Sequence, residues 1–413
     1  MIEFSTFKLE NGLRVIHHFD NSTQLVCLNI LYDVGSRDEN PKKTGFAHLF
    51  EHLMFGGSVN IPNYDEPLQR VGGENNAFTT NDITNYYLTL PANNIETAFW
   101  LESDRMISLA FSEKSLETQR SVVIEEFKQR YFNQPYGDVW LLLRPLAYTT
   151  HPYNWPTIGK EIKHIEDAKM EDVKSFFHTF YNPTNAIMVV AGNTTLEETK
   201  LLTEKWFAPI NGKIITPRNL PKEPKQREAR TLTVERDVPL DAIYKAYHMC
   251  KRMDADFYAM DMLSDILSNG DSSRLYIELV KKQQLFSSIH AYVMGDLDEG
   301  LFVISGKLVK GIKMEDAEKA IEAEINKIKL QRIEDSELQK IKNKLESILV
   351  FNQMNILEKA MGLATFELMG DAALVNNETE RYAAVTANQL QNAANKYIQE
   401  SNCSTLYYLS KKK

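Results

Sequence analysis

One stretch of thirteen residues constrains this chain more than any other: Thr44-Gly-Phe-Ala-His48-Leu-Phe-Glu51-His52-Leu-Met-Phe-Gly56. Phe46, Leu49, Phe50, Leu53 and Met54 recur at helical spacing, with Thr44 read as the N-cap and Gly56-Gly57 as the stop. The pattern predicts a helix of about three turns. At roughly 100° per residue the apolar side chains share one side, and His48, Glu51 and His52 fall together on the other. Imidazoles at i and i+4 stand one turn apart, close enough to grip one Zn²⁺ at about 2.0–2.1 Å each. Glu51 is then held beside the ion, where it can take a proton from a metal-bound water.

The competing reading is a solvated helix face. Such a face usually carries several charged residues, yet between Thr44 and Gly56 Glu51 is the only acid and there is no Lys or Arg. The order H-x-x-E-H is itself a zinc-enzyme signature. A third ligand is sought further along, in a helical pattern from about Ser112 to Arg130 with Leu116, Val122, Val123 and Phe127 as its apolar stripe. Of the two adjacent acids, Glu126 has Val122 and Val123 one turn before it and so points into the apolar side, where a charge needs a partner or a metal. Glu125 fits a surface acid better.

At 413 residues the chain can bury a large core, and its length suggests two domains or more. A formal charge of −9 with no basic patch argues against nucleic acid as a partner, the lysines at 411–413 reading as a short solvated tail. No apolar run approaches the eighteen or so residues that a membrane span requires. The N-terminus has neither a signal-peptide core nor an arginine-rich transit sequence. Cys27, Cys250 and Cys403 are odd in number and widely spaced, so reduced thiols and a cytoplasmic setting are expected, periplasmic if a leader has been removed.

Along the chain, Phe7–Leu9 and Leu13–Ile16 alternate around Asn11-Gly12, a hairpin signal, and Gln24–Tyr32 is a β-prone run. Gly72–Leu90 is rich in Thr and Tyr and reads as two strands with a polar turn between them. Helical patterns cover 95–110, 170–179 and 196–207, and Tyr181–Gly192 reads as a turn into a buried strand. Residues 209–230, with Pro217, Pro221 and Pro224, have linker composition. Beyond them the order starts over: strands near 231–234, 242–247, 289–293 and 301–307, a helix at 254–267, and a long helical stretch from Met314 to about Met369. This is read as a divergent repeat, with the helix at 254–267 in the place of the metal helix but without histidine. The expected partition is 1–215, a linker at 216–230, and 231–413.

These motifs resemble the pitrilysin-type inverted zinc peptidases, the group that includes insulysin and the mitochondrial processing peptidase. Besides His48-Leu-Phe-Glu51-His52, the similarity rests on Gly72-Gly73 followed by Asn76-Ala77-Phe78-Thr79, on Val122-Val-Ile-Glu-Glu126, and on His151-Pro152-Tyr153. Thr157-Ile158-Gly159, Tyr181-Asn-Pro-Thr-Asn185-Ala186 and Ser272-Ser273-Arg274-Leu275-Tyr276 extend it over nearly the whole chain. The resemblance implies an α+β fold of two related domains, each a mostly antiparallel sheet with helices packed on one side. It implies His48, His52 and Glu126 as ligands of one zinc ion and Glu51 as general base. It also implies that Asn76, Ala77 and Phe78 lie on an exposed edge strand onto which a peptide adds.

Two positions depart from the family pattern. Seven residues before Glu126, where many relatives carry a second Glu, stands Gln119, which can neither accept a proton nor hold charge. In the second half, an Arg and a Tyr that contact the substrate carbonyl in active relatives are replaced by Val280 and Ser287. The expectation is therefore a zinc endopeptidase acting on unfolded peptides, in which a related subunit supplies the missing Arg and Tyr and this chain supplies the zinc half of a heterodimer. The alternative is a non-catalytic subunit of the same fold that binds peptides or scaffolds an assembly; a purely structural metal would leave Glu51 without a purpose.

Overall fold

The computed structural model describes residues 1–213 and 217–411. The expected boundary between 215 and 216, and lysines 412 and 413, lie outside the described residues.

Two sheets carry the fold. The first has six strands, β1 (Ser5–Lys8), β2 (Arg14–Phe19), β3 (Leu25–Tyr32), β4 (Glu74–Thr79), β5 (Thr84–Pro91) and β6 (Ala186–Gly192), in the order β1-β2-β6-β3-β5-β4. The second has five, β7 (Arg230–Arg236), β8 (Ala242–His248), β9 (Phe286–Met294), β10 (Leu301–Leu308) and β11 (Cys403–Ser410), in the order β7-β11-β8-β10-β9. With β1 set aside, the two orders superpose strand for strand. The pairing senses agree as well: β2 with β6 and β7 with β11 are parallel, and the other neighbours are antiparallel. The divergent repeat is therefore a repeat of topology. β11, absent from the sequence reading, is the strand that corresponds to β6.

Among the helices, α1 (Phe46–Met54), α2 (Ile95–Ile107), α3 (Glu113–Phe127) and α5 (Met170–Phe180) belong with the first sheet. With the second belong α4 (Val139–Ala147), α6 (Phe257–Ser268), α7 (Met314–Leu330) and most of α8 (Asp335–Asn352). The helical pattern expected from 314 to 369 is three helices, α7, α8 and α9 (Ile356–Leu368), because backbone breaks at 331–334 and 353–355 interrupt a continuous apolar stripe.

The two compact units are not the two halves of the chain. One consists of Met1–Lys128, Trp155–Leu220 and Val350–Asn377; the other of Gln129–Asn154, Pro221–Leu349 and Glu378–Lys413. Each half lends one helix to the other half's sheet. In the first unit α9 lays Ile356, Ala360, Leu363 and Ala364 on Ile16, Cys27, Leu31, Ile187 and Val189. In the second, α4 lays Val139, Leu143 and Ala147 on Ala242, Ala246, Val303 and Leu406. Periodicity shows that a helix has an apolar stripe but not which sheet that stripe covers, which is why a partition by halves misplaces both. The remaining helices form a layer on the opposite face of each sheet, where Tyr32 meets Tyr181 and Ile243, Phe302 and Ile304 meet α6. Central strands are thus buried on both faces, which explains the uninterrupted apolar run of β6 and that of β3, broken only by Asn29, which is hydrogen-bonded to Asn85. The three cysteines are buried and free, and no helix among the described residues is long and apolar enough to cross a membrane.

Polar clamps hold α9 in place. Lys359 Nζ lies 2.6 Å from Asp20 Oδ2, Arg14 lies 3.7 Å from Glu367, and Asn376 both accepts from the Ile2 N–H at 2.6 Å and donates to its carbonyl at 2.9 Å. Lys359 and the Ser22 hydroxyl hold the Asp20 carboxyl well below the usual carboxylate range, and His18 Nε2 stands 4.0 Å away. Replacing Asp20 with Asn is expected to cost roughly 1–3 kcal/mol at pH 7. A depressed native pKa contributes stability that is complete above the unfolded value of about 3.9 and fades as pH falls toward the native one. In denaturant titrations the difference between wild type and Asp20→Asn should therefore hold from pH 7 to 5 and shrink below about pH 4.

Candidate metal centre

α1 spans nine residues, of which Phe46, Ala47, His48, Leu49, Phe50, Leu53 and Met54 are buried. Its apolar side is pressed on an aromatic group: Phe50 stacks on Phe177 at 5.8 Å and tilts against Tyr181 at 4.3 Å between ring centroids. Past its C-terminus, Arg105 is buried with its guanidinium 5.7 Å from the ring of Phe55, 4.4 Å from Tyr64 and 4.6 Å from Tyr86, ion-paired to Glu102.

The N-terminus departs from the sequence reading. Thr44 is not the cap: its hydroxyl accepts the Lys160 N–H at 2.9 Å and lies 2.8 Å from His164 Nδ1. Gly45 is the N-cap, at φ 89°, and the Ile158 carbonyl would lie 2.5 Å from a Cβ placed there. The first turn is capped instead by buried Glu39. Its carboxylate accepts the Gly45 N–H at 2.9 Å, the Ala47 N–H at 2.8 Å and the indole N–H of Trp155 at 3.0 Å. Burial pushes its pKa up to about 8, while the three donors pull the other way. Neither Glu39 nor Trp155 carries a sequence signal for this role, since capping from outside the helix has no fixed spacing.

On the polar side the structure brings His48, His52 and Glu126 together. The imidazole centroids are 4.8 Å apart, and Glu126 Oε2 stands 3.6 Å from His48 Nε2 and 3.4 Å from His52 Nε2. One donor atom from each residue falls within 4.8 Å of the others. Charge-assisted hydrogen bonds would be shorter, about 2.7–2.9 Å. Ligand atoms about 2.0–2.1 Å from a tetrahedral ion stand roughly 3.3 Å apart, so this donor set fits one zinc ion.

α3 delivers Glu126. Ser112 caps it by accepting the Ser115 N–H, and Leu116, Val123 and Phe127 are buried. Val122 is not part of the stripe: it is 45% exposed, on the outer side of the helix. Glu125 also faces outward, 2.7 Å from Lys128. Gln119 is half-buried, two turns before Glu126.

Glu51 lies between the histidines in sequence, and its Oε2 accepts the Thr79 hydroxyl at 2.5 Å. Thr79 ends β4, which is at the edge of its sheet and pairs only with β5. Asn76, Ala77 and Phe78 are on this edge strand. Side chains alternate, so Asn75, Ala77 and Thr79 face the α1 side while Asn76 and Phe78 face away, Phe78 being 36% exposed and not core. The Ala77 N–H donates to Asn76 Oδ1 at 2.8 Å. In the second unit, Val280 packs half-buried against the core and Ser287 is exposed on β9, its hydroxyl donating to the Lys307 carbonyl at 3.1 Å.

A duplicated α+β fold whose first unit clusters two histidines and a glutamate on an inverted motif defines a metallopeptidase class. The family model described as Insulinase (Peptidase family M16) matches residues 14–145, and that described as Peptidase M16 inactive domain matches 167–345. A zinc protease of Helicobacter pylori, PqqE, is 31% identical over 97% of this chain and 91% of its own length. A crystal structure of a protease from Helicobacter pylori superposes with a TM-score of 0.94 at 31% identity, covering 99% of this chain and all of that one. Pitrilysin shares the fold alone, with a TM-score of 0.77 at 18% identity over 99% of this chain and 45% of that one. The chain belongs to the M16 peptidase family.

Removing Glu39 should loosen the start of α1. Glu39→Ala leaves the Gly45 and Ala47 N–H groups without their acceptor, while the Trp155 indole keeps the Ser36 carbonyl at 3.1 Å; at about 1–3 kcal/mol for each group that water does not reach, a loss of several kcal/mol is expected by chemical denaturation. Trp155 fluorescence should change before global unfolding.

Proposed function

We propose that this chain is a zinc endopeptidase subunit acting on unfolded peptides, with His48, His52 and Glu126 holding the ion and Glu51 serving as general base. The observation that carries this reading is the spacing of the cluster: three donor atoms at ion-sharing separations, with a carboxylate on the same helix beside an open strand edge. Zinc at such a site supplies a Lewis acid that makes water more acidic and polarises a carbonyl. Glu51 takes the proton that water loses as its oxygen bonds to the scissile carbon, then delivers it to the amine nitrogen as the C–N bond breaks.

β4 gives the substrate its direction. A peptide added as a further strand makes main-chain hydrogen bonds whatever its sequence, which requires an extended and therefore unfolded chain. The Ala77 N–H is the natural first donor, and Asn76 Oδ1 must release it. Phe78, on the far face, then contributes through its exposed ring to whatever borders the strand.

The stabilisation of charge on the carbonyl oxygen is where this chain is incomplete. Val280 and Ser287 offer neither a cation nor a phenol, so we assign that task to a related subunit carrying the Arg and Tyr. Retained zinc donors favour catalysis over a scaffolding role.

Glu51→Gln should keep stoichiometric zinc by elemental analysis and lose at least about 10²-fold in hydrolysis of a quenched peptide. His48→Ala or Glu126→Ala should lose the zinc itself. Turnover undiminished in Glu51→Gln would remove the base assignment. Full activity from the purified chain alone, unchanged by a sibling chain bearing the Arg and Tyr, would remove the two-subunit reading.

A further inference from the structure

Thr79 joins two parts of the site that the sequence keeps apart. It ends the strand to which a peptide is proposed to add, and its hydroxyl donates to Glu51 Oε2 at 2.5 Å. Its own position is fixed from behind. The residue after it, Thr80, accepts the Ser36 N–H at 3.2 Å, and Asn81 accepts the Arg37 N–H at 2.9 Å. Asp82 is 2.8 Å from the Arg37 guanidinium. The loop comes this close because residue 35 is glycine: a Cβ there would lie 2.4 Å from the Asn81 carbonyl oxygen. Four residues on, the same loop reaches Glu39, which caps α1. One short segment thus holds both the helix that carries Glu51 and the turn that carries Thr79.

We infer that Thr79 is a positioning residue for the general base: its hydroxyl fixes one oxygen of Glu51 and so ties the proton acceptor to the strand that aligns the scissile bond. A glutamate side chain has three rotatable bonds, and a carboxylate left free samples orientations from which proton transfer fails. One hydrogen bond from a rigid strand restricts them. The requirement is for an O–H donor at this place; the methyl group of Thr79 contributes only shape. This inference rests on the reading of Glu51 as base.

Three variants separate hydroxyl from shape. Thr79→Val keeps the shape and removes the donor, Thr79→Ser keeps the donor, and Thr79→Ala removes both should Val prove hard to accommodate. In the assembly that hydrolyses the quenched peptide, Thr79→Val and Thr79→Ala are expected to lose about 10–100-fold in kcat. KM and zinc content should stay within twofold, and Thr79→Ser should recover most of the rate. A second readout needs no turnover. The carboxylate stretch of Glu51, identified in the infrared spectrum by its loss in Glu51→Gln, should shift in Thr79→Val and stay in place in Thr79→Ser. Equal losses in Val and Ser, or a stretch unmoved in Val, would overturn the inference. The failure of the base reading looks different: Glu51→Gln would remain active, whereas failure of this inference alone leaves Glu51→Gln inactive and Thr79→Val at the wild-type rate.

Discussion

The site depends on a packing constraint: α1 and α3 must meet in a register that sets Glu126 between two imidazoles. At 3.4 and 3.6 Å the contacts of Glu126 with the two imidazoles are longer than a short charge-assisted hydrogen bond. Both helices are anchored by apolar surface, Leu49, Phe50 and Leu53 beneath one and Leu116, Val123 and Phe127 beneath the other. The three candidate donors are therefore held at separations that one zinc ion could share. The Glu39 carboxylate at the helix N-terminus and the aromatic cage of Arg105 beyond its C-terminus fix α1 along its axis, so the spacing is defined in every direction.

The exchange of α4 and α9 bears on the same constraint. The face of the first sheet formed by Ile16, Cys27, Leu31, Ile187 and Val189 is covered only when residues 350–377 have been supplied, although every metal donor lies before residue 127. A chain that ended in the Pro-rich segment would hold the three candidate donors and leave a broad apolar face in water. The first sheet is therefore complete only with residues more than two hundred positions beyond Glu126 in sequence. The half-buried Lys359–Asp20 pair and the Asn376 bonds to Ile2 make that dependence specific, since they set where along the sheet α9 comes to rest.

What the sequence made legible was local. The stripe of α1 and the shared face of His48, Glu51 and His52 follow from 3.6-residue periodicity, the preference for Glu126 over Glu125 rests on buried Val123 alone since Val122 is exposed, and the hairpin at Asn11-Gly12 follows from turn chemistry. The edge strand came from the family resemblance. Val122 was misread because apolar character alone does not separate the two sides of a helix as polar as α3. Thr44 was misread because a hydroxyl in the right place can be claimed by other partners, here Lys160 and His164. Glu39 as cap and the helix exchange could not be read at all. Both are choices of partner across long sequence separations, and nothing in the local pattern records them.

The second unit shows how far topology and chemistry can part. α6 occupies the position that α1 holds in the first sheet, yet nine of its twelve residues are buried: Phe257, Tyr258, Ala259, Met260, Met262, Leu263, Ser264, Ile266 and Leu267. Its less buried positions include Asp261 and Asp265, and these are committed elsewhere. Asp261 accepts the Tyr382 hydroxyl at 2.6 Å, and Asp265 accepts the Asn269 amide. Ser268 closes the end of the helix by donating to the Ala291 carbonyl at 2.9 Å on the edge strand β9. In the first unit the corresponding polar side carries the candidate donors His48 and His52 beside Glu126, and the strand edge is tied to the helix through Thr79 and Glu51. In the second, the same architecture spends its polar groups on fastening its own elements. Restoring a metal there would require more than two histidines, because the polar contacts that now hold α6 to its neighbours would first have to be given up.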